Sequence, residues 1–215
     1  PQSGEGKTIT TTEPKFIPPE AVRINTKSGA GFNVRLVDCV GYMVPGVLGD
    51  KEGGKERMVS TPWSEEQIPF SRAAEIGTEK GVTEHSVVGV VVTTDGSFGE
   101  LPRSSFVDAE EKTVSQLKEL HKPFVIILNS ATPQSAKSRD MAKQMEEHYG
   151  IPVLLTNCQR MTEENFEEMF DKLINQFPAC EIQFKLPGYM DAISSDHWIK
   201  ATIITRVKEW MAEFE

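Results

Sequence analysis

Cysteine is scarce in this chain of 215 residues: Cys39, Cys158 and Cys180 have no close pairing, which opposes a disulfide framework or a zinc site and fits an intracellular compartment. No apolar run approaches the length needed to span a bilayer, and no signal peptide is visible. Positive charge is also short. Lys and Arg total 23 against 32 Asp and Glu, a net charge of −9, and this excludes the basic surface that a nucleic-acid backbone demands. The four histidines, His85, His121, His148 and His197, lack metal-ligand spacing and read as surface or helix-end residues. No Ser-His-Asp or Cys-His arrangement can be assigned, and no repeat of solenoid length occurs. An initiating methionine is missing too; the chain opens on Pro1, which reads as a fragment or a processed product.

What remains is an ordinary globular composition, 38% hydrophobic and 26% charged, sized for one substantial domain with the edge of a second. Its most informative stretch is Asn33-Val34-Arg35-Leu36-Val37-Asp38-Cys39-Val40-Gly41. A β-branched apolar run ends in an aspartate and, three residues on, a glycine. At the carboxyl end of a strand, such a carboxylate can reach Mg²⁺, usually through water. The glycine lets a backbone amide meet a terminal phosphate.

The organisation around it is alternating. Residues 1–20 read as an extended loop, and Val22–Lys27 and Phe32–Asp38 flank Ser28-Gly29-Ala30-Gly31 as a β-hairpin. Residues 42–70, rich in Pro and Gly, read as a long loop, and Ser71–His85 as a helix. Val87–Thr94, Phe124–Asn129 and Ile151–Leu155 have the composition of buried strands. Between and after them lie expected helices at Ser105–His121, with Ser105 and Asp108 at cap-like spacing, about Ser135–Tyr149, and Thr162–Phe177. The last has a core face of Phe166, Met169, Phe170, Leu173, Ile174 and Phe177. Strand–helix alternation with near-continuous apolar strands predicts an α/β three-layer sandwich, its sheet mostly parallel with the hairpin as an antiparallel edge. Glu181–Leu186 reads as a further strand, and Ser194–Phe214 as a helix with an apolar stripe that needs a partner. Glu65-Glu66, Glu110-Glu111 and Glu163-Glu164 read as solvated faces or helix starts, and Asp95-Gly96 as a turn, with a place on the site's rim as its alternative.

Two nucleotide signals need separating. Gly6-Lys7-Thr8 imitates the end of a phosphate-binding loop, but the first glycine of that pattern would fall on Pro1. The β-branched run Thr8–Thr12, followed by Pro14, opposes the helix such a loop requires. Thr10, Thr11 and Thr12 have a better use. In nucleotide switch proteins a threonine upstream of the hairpin coordinates Mg²⁺ and contacts the γ-phosphate, and the order threonine loop, hairpin, D-x-x-G is present here. Further on, Asn129-Ser130-Ala131-Thr132 stands where guanine-binding members of the fold carry N-K-x-D. Thr132 takes the aspartate's position and Ser130 the lysine's. A neutral threonine cannot accept both guanine donors, so guanine specificity is opposed. Thr156-Asn157-Cys158 falls where a base-side loop would be.

With these in place the chain resembles the stage IV sporulation protein A family of spore-coat morphogenetic ATPases. The likeness is carried by Pro1-Gln2-Ser3, Gly6-Lys7-Thr8-Ile9, Thr11-Thr12-Glu13-Pro14-Lys15-Phe16 and Arg35-Leu36-Val37-Asp38-Cys39-Val40-Gly41-Tyr42. Ala73-Ala74-Glu75-Ile76-Gly77-Thr78, Glu84-His85-Ser86 and Thr93-Thr94-Asp95-Gly96 continue it, with departures in 43–60 and 132–150. The resemblance implies a translation-factor-related, G-domain-like P-loop NTPase fold whose first strand, phosphate loop and first helix precede this segment. It implies an ATPase domain over 1–187 and the start of a following helical domain over 188–215. ATP and Mg²⁺ are the implied cofactors. Thr11, Thr12 and Asp38 would be catalytic, with Thr12 and Asp38 linked to the metal through water, and Thr12, Asp38, Gly41, Asn129 and Thr132 at the nucleotide. The implied role is ATP hydrolysis coupled to self-assembly of the basement layer of the spore coat. The implied place is the mother-cell cytoplasm, against the forespore outer membrane. Partners would be further copies of the chain, other coat morphogenetic proteins and a small membrane-bound anchor peptide. A guanine-nucleotide switch and an assembly module without turnover are the rival readings.

Overall fold

The computed structural model describes residues 16–26, 29, 31–39, 41–46, 51–52, 55–61, 63–177, 185–194 and 196–212. The chain divides into two compact units, Pro1–Phe177 and Pro178–Glu215. Thr11 and Thr12 lie outside the described residues, as does most of the strand expected at Glu181–Leu186.

In the first unit, strands β1 (Phe16–Asn25) and β2 (Gly31–Val37) form the expected hairpin. It is not an edge of the larger sheet. Among the described residues it is a two-stranded sheet of its own, and it meets the rest of the unit through side chains, with Ile24, Phe32 and Val34 packed into an apolar cluster. The segment read as a long loop also holds structure: β3 (Lys51–Glu52) pairs with β4 (Lys55–Glu56), and β5 (Met58–Thr61) with β6 (Ser64–Pro69). The signal was a short alternation, Val59 and Thr61 being buried between exposed Met58 and Ser60. The prolines around it masked that period. Helix α1 (Phe70–Lys80) runs directly into a π-helical turn, Gly81–His85. Lys122 closes that turn by donating to the carbonyls of Val82, Thr83 and Ser86.

Then comes the expected alternation: β7 (Gly89–Thr94), α2 (Val107–Glu119), β8 (Phe124–Asn129), α3 (Ala136–Tyr149), β9 (Val153–Thr156) and α4 (Glu163–Ile174). The three strands form a parallel sheet in the order β7-β8-β9. Side chains alternate across a strand, so β8 serves two cores at once. Phe124, Ile126 and Leu128 pack with Val114 and Leu117 of α2 and Met145 and Tyr149 of α3. Val125 and Ile127 face the other way, onto Met169, Phe170 and Leu173 of α4, where Phe170 meets Phe32 edge-on. Phe166 and Phe177, expected in that core, are 42% and 45% exposed. Helix α4 is narrower in its apolar face than the spacing suggested. Ser105 does not cap α2, which follows a 3-10 turn at Arg103–Phe106 and has no side-chain cap. Ser135 does cap α3, accepting from the Ser138 amide at 3.1 Å.

One acidic residue departs from the sequence reading. Glu110 is buried, not solvated, and its Oε1 accepts from Arg103 Nη2 and from the Tyr149 hydroxyl, each at 2.7 Å. Burial first, and then the bond to Glu110 and its charge, push the Tyr149 phenol far above its ordinary range. The second unit, by itself, holds a 3-10 turn at Gly188–Met190 and helix α5 (Trp198–Met211), where Lys200 donates to the carbonyls of Met190 and Ile193.

Replacing Glu110 by Ala strands a guanidinium and a phenol, so urea unfolding should show a loss of about 3 kcal/mol, the range for breaking a buried pair from one side. The neighbouring exposed Glu111→Ala should stay within about 0.5 kcal/mol.

Candidate functional site

Two loops at strand ends carry the candidate residues. The first follows β2. Asp38 is the residue after the strand's last, Val37, and its side chain is exposed. Gly41 has φ +82, a conformation that L side chains rarely adopt, and a Cβ there would meet nothing within 4 Å. The glycine is therefore required by the backbone turn, and among the described residues the space beside it is open. Between them, Cys39 turns inward. A Cβ added to Gly81 would lie 2.5 Å from Cys39 Sγ, so the two residues are in close approach. Burial, and then the adjacent Asp38 carboxylate, push the Cys39 thiol up.

Beyond Gly41, Tyr42 lands on α2. Its hydroxyl donates to Gln116 Oε1, and Lys112 Nζ sits 4.4 Å from its ring centre. Lys112 also bonds Glu75 of α1, which accepts from Arg72 as well. The Asp38 loop is thus fixed by strand pairing on one side and by the Tyr42 latch on the other.

The second loop lies at the carboxyl ends of β7 and β8. The ladder continues one step past the strands, with Asp95 N donating to Asn129 O at 3.2 Å and Ser130 N to Thr156 O at 2.9 Å. Asn129 Oδ1 accepts from the Cys158 amide at 2.9 Å and so ties this loop to the turn after β9. Ser130 is fully buried, which corrects its placement along a base; its hydroxyl accepts from Thr132 N and faces Ser138 Oγ, both at 3.1 Å. Thr132 itself is exposed. Asp95 anchors the set. One oxygen accepts from the Ser97 amide at 2.9 Å and from its hydroxyl, the other from Ser138 Oγ at 3.0 Å. Burial alone would raise the Asp95 carboxyl, but donors from Ser130, Ser97 and Ser138 outweigh it and hold the group below its ordinary range.

Asp38 and Gly41 therefore share one loop and Asn129 and Thr132 another, and no hydrogen bond among the described residues joins the two. Ser138 and Tyr42 are the residues that sequence reasoning passed over, and Asp95 it read chiefly as a turn. Asp95-Gly96-Ser97 carries an Asx-turn signature, and Ser135 stands three residues before Ser138 as a helix cap, so both were findable. Nothing local flags Tyr42, whose partners lie on α1 and α2.

Comparison with known proteins adds a separate line. The family described as Stage IV sporulation protein A, ATPase domain, matches residues 1–178. A relative from Clostridioides difficile (strain 630) named Stage IV sporulation protein A is 47% identical over 209 residues, 97% of this chain and 43% of the relative. Proteins of the same name from Bacillus subtilis (strain 168) and Bacillus anthracis are 42% and 41% identical over the whole of this chain and 44% of their own lengths. The chain spans less than half the length of the curated relatives it matches.

The Cys39–Gly81 contact gives a test with a change of sign. Gly81 has ordinary helical φ and ψ, where Gly→Ala normally stabilises by about 0.4–1 kcal/mol. Here the thiol blocks the new methyl, so Gly81→Ala should destabilise by about 1 kcal/mol or more. On a Cys39→Ala background the same change should become neutral or favourable. Urea titration of the four-member cycle checks it.

Proposed function

The chain belongs to the stage IV sporulation protein A family, matching its ATPase domain over residues 1–178, and from this premise we propose that its parent protein hydrolyses ATP to drive its own assembly into the basement layer of the spore coat. The observation that carries the proposal is the Asp38 loop: an exposed carboxylate directly after a strand, followed by a glycine whose positive φ is obligatory and whose surroundings are open.

These residues fit Mg²⁺-nucleotide. Among the described residues no three His, Cys, Asp or Glu side chains cluster as a metal cage. Mg²⁺ keeps several waters and needs only one or two protein carboxylates beside substrate phosphates, so a single Asp38 suits it. When bound, the ion would neutralise charge on the phosphate oxygens. Asp38 would orient its waters, the Gly41 backbone would approach the terminal phosphate, and the Thr11 and Thr12 hydroxyls would sense the γ-phosphate. Asn129 and Thr132 would flank the base. Thr132 is exposed and neutral, so guanine would gain no charge-assisted pair there, which favours ATP over GTP.

The phosphate loop, with its strand and helix, would come from the remainder of the parent chain. Two features support this. On β7, Val90 and Val92 are 37% and 61% exposed on the face opposite Val91, although a parallel sheet is ordinarily covered on both faces. Among the described residues, β2 and β7 also each have an edge with no strand on it. The proposed partners are further copies, other coat morphogenetic proteins and a small membrane-bound anchor peptide. The proposed place is the mother-cell side of the forespore outer membrane. No helix among the described residues is long and apolar enough to cross a membrane.

In the full-length protein, Asp38→Ala should lower ATP hydrolysis by ~10²-fold or more, the scale for losing an electrostatic stabiliser. Thr11→Ala with Thr12→Ala should reduce hydrolysis more than ATP binding. Phosphate release and equilibrium binding read these two effects. Sedimentation reads assembly: full polymer formation by the hydrolysis-dead Asp38 variant would sink the coupling and favour a module without turnover.

A further inference from the structure

We propose that Asp95 is a positioning residue for the nucleotide base, holding the loop 130–135 in its binding conformation through Ser97, Ser130 and Ser138. This rests on the nucleotide reading above and names a determinant of affinity that the Asp38 motif does not contain.

The argument is a count of donors and acceptors. Ser138 Oγ donates to Asp95 Oδ2 and lies within hydrogen-bond distance of the hydroxyls of Ser130, at 3.1 Å, and Ser135, at 2.8 Å. Asp95 Oδ1 takes both the amide and the hydroxyl of Ser97. The freed lone pairs of Ser97 and Ser130 then accept the two loop amides, Ala131 N at 2.8 Å and Thr132 N at 3.1 Å. The carboxylate accepts and never donates, and it takes the hydroxyls of both Ser97 and Ser138. An amide at position 95 has one acceptor oxygen where the carboxylate has two, so either Ser138 or Ser97 loses its acceptor. The loss reaches the loop through the two hydroxyls that accept its amides, Ser97 for Ala131 and, by way of Ser138, Ser130 for Thr132. Ser130 and Ser138 are buried, so water cannot readily replace the lost partner. The same loop holds Asn129, which in turn carries the Cys158 turn. A base packed between these two turns would meet a fixed wall only while Asp95 is ionised and in place.

The test uses the full-length protein with ATP, GTP and ribose triphosphate, which has no base. Asp95→Asn should raise KM for ATP about tenfold, the loss expected of a hydrogen bond to a charged group, with kcat changed less than twofold. Preference for ATP over ribose triphosphate should fall by a similar factor. Amide exchange at Ala131 and Thr132 should lose protection. Ser97→Ala, at an exposed position where misfolding is not expected, should move KM and the Ala131 amide the same way, and Ser97→Thr, which keeps the hydroxyl, should recover the wild-type KM. An unchanged KM and ATP-to-ribose-triphosphate ratio in folded Asp95→Asn would overturn the proposal, as would a fall in kcat at constant KM. If the wild type itself shows no preference for ATP over ribose triphosphate, the nucleotide reading fails and this one falls with it, and that control separates the two.

Discussion

One oxygen, Glu110 Oε1, joins three segments that apolar contacts alone would leave free to slide. It receives Arg103 from the turn after β7 and Tyr149 from the last turn of α3, while Glu110 itself is set into α2. Such a pair gives little net stability against a well-packed apolar alternative, but it admits one arrangement of its partners and penalises others heavily. Arg103 is fixed in this way with one nitrogen toward Thr93 of β7, at 3.4 Å. The long connection between β7 and α2 therefore has an anchored far end. Its near end is the Asp95 turn. The candidate base-side loop thus inherits its place from a buried ion pair two elements away.

Two aspartates in this chain follow strands directly, and their surroundings give them opposite characters. Asp38 is exposed beside an open glycine turn, so its oxygens can serve a ligand. Asp95 has both oxygens occupied by serine donors and is committed to the protein. Position after a strand does not by itself identify a ligand-binding carboxylate; here the neighbouring hydroxyls separate the two.

Much of the parallel core was legible in the sequence. The runs 124–129 and 151–155 are apolar and continuous, as a strand buried on both faces must be, whereas 87–94 has the same composition and yet leaves Val90 and Val92 exposed. The helices between them were equally plain. What escaped was set by contacts distant in sequence. Glu110 looked like half of a solvated acidic pair because its partners lie 7 and 39 residues away. The short β-pieces between 51 and 69 escaped because turn-forming residues dominate there. The hairpin was read correctly as a hairpin, but among the described residues no strand joins it to the parallel sheet, since strand composition does not say which edge a strand will meet. For the site, Asp38 and Gly41 were visible as a local motif, whereas the serine network needed β7, β8 and α3 brought together.

The Tyr42 latch differs from the other ties in one respect that matters in solution. Its central group, Lys112, is half exposed and is shared between an aromatic face and the Glu75 carboxylate. Counter-ions at high ionic strength compete for both charges, and exposed pairs of this kind are the ones they screen. Loop 130–135 is held instead by hydroxyls and a carboxylate that have no mobile cation to exchange. Ionic strength therefore acts on the two loops unequally, loosening the Asp38 loop while leaving the Asn129–Ser135 loop in place.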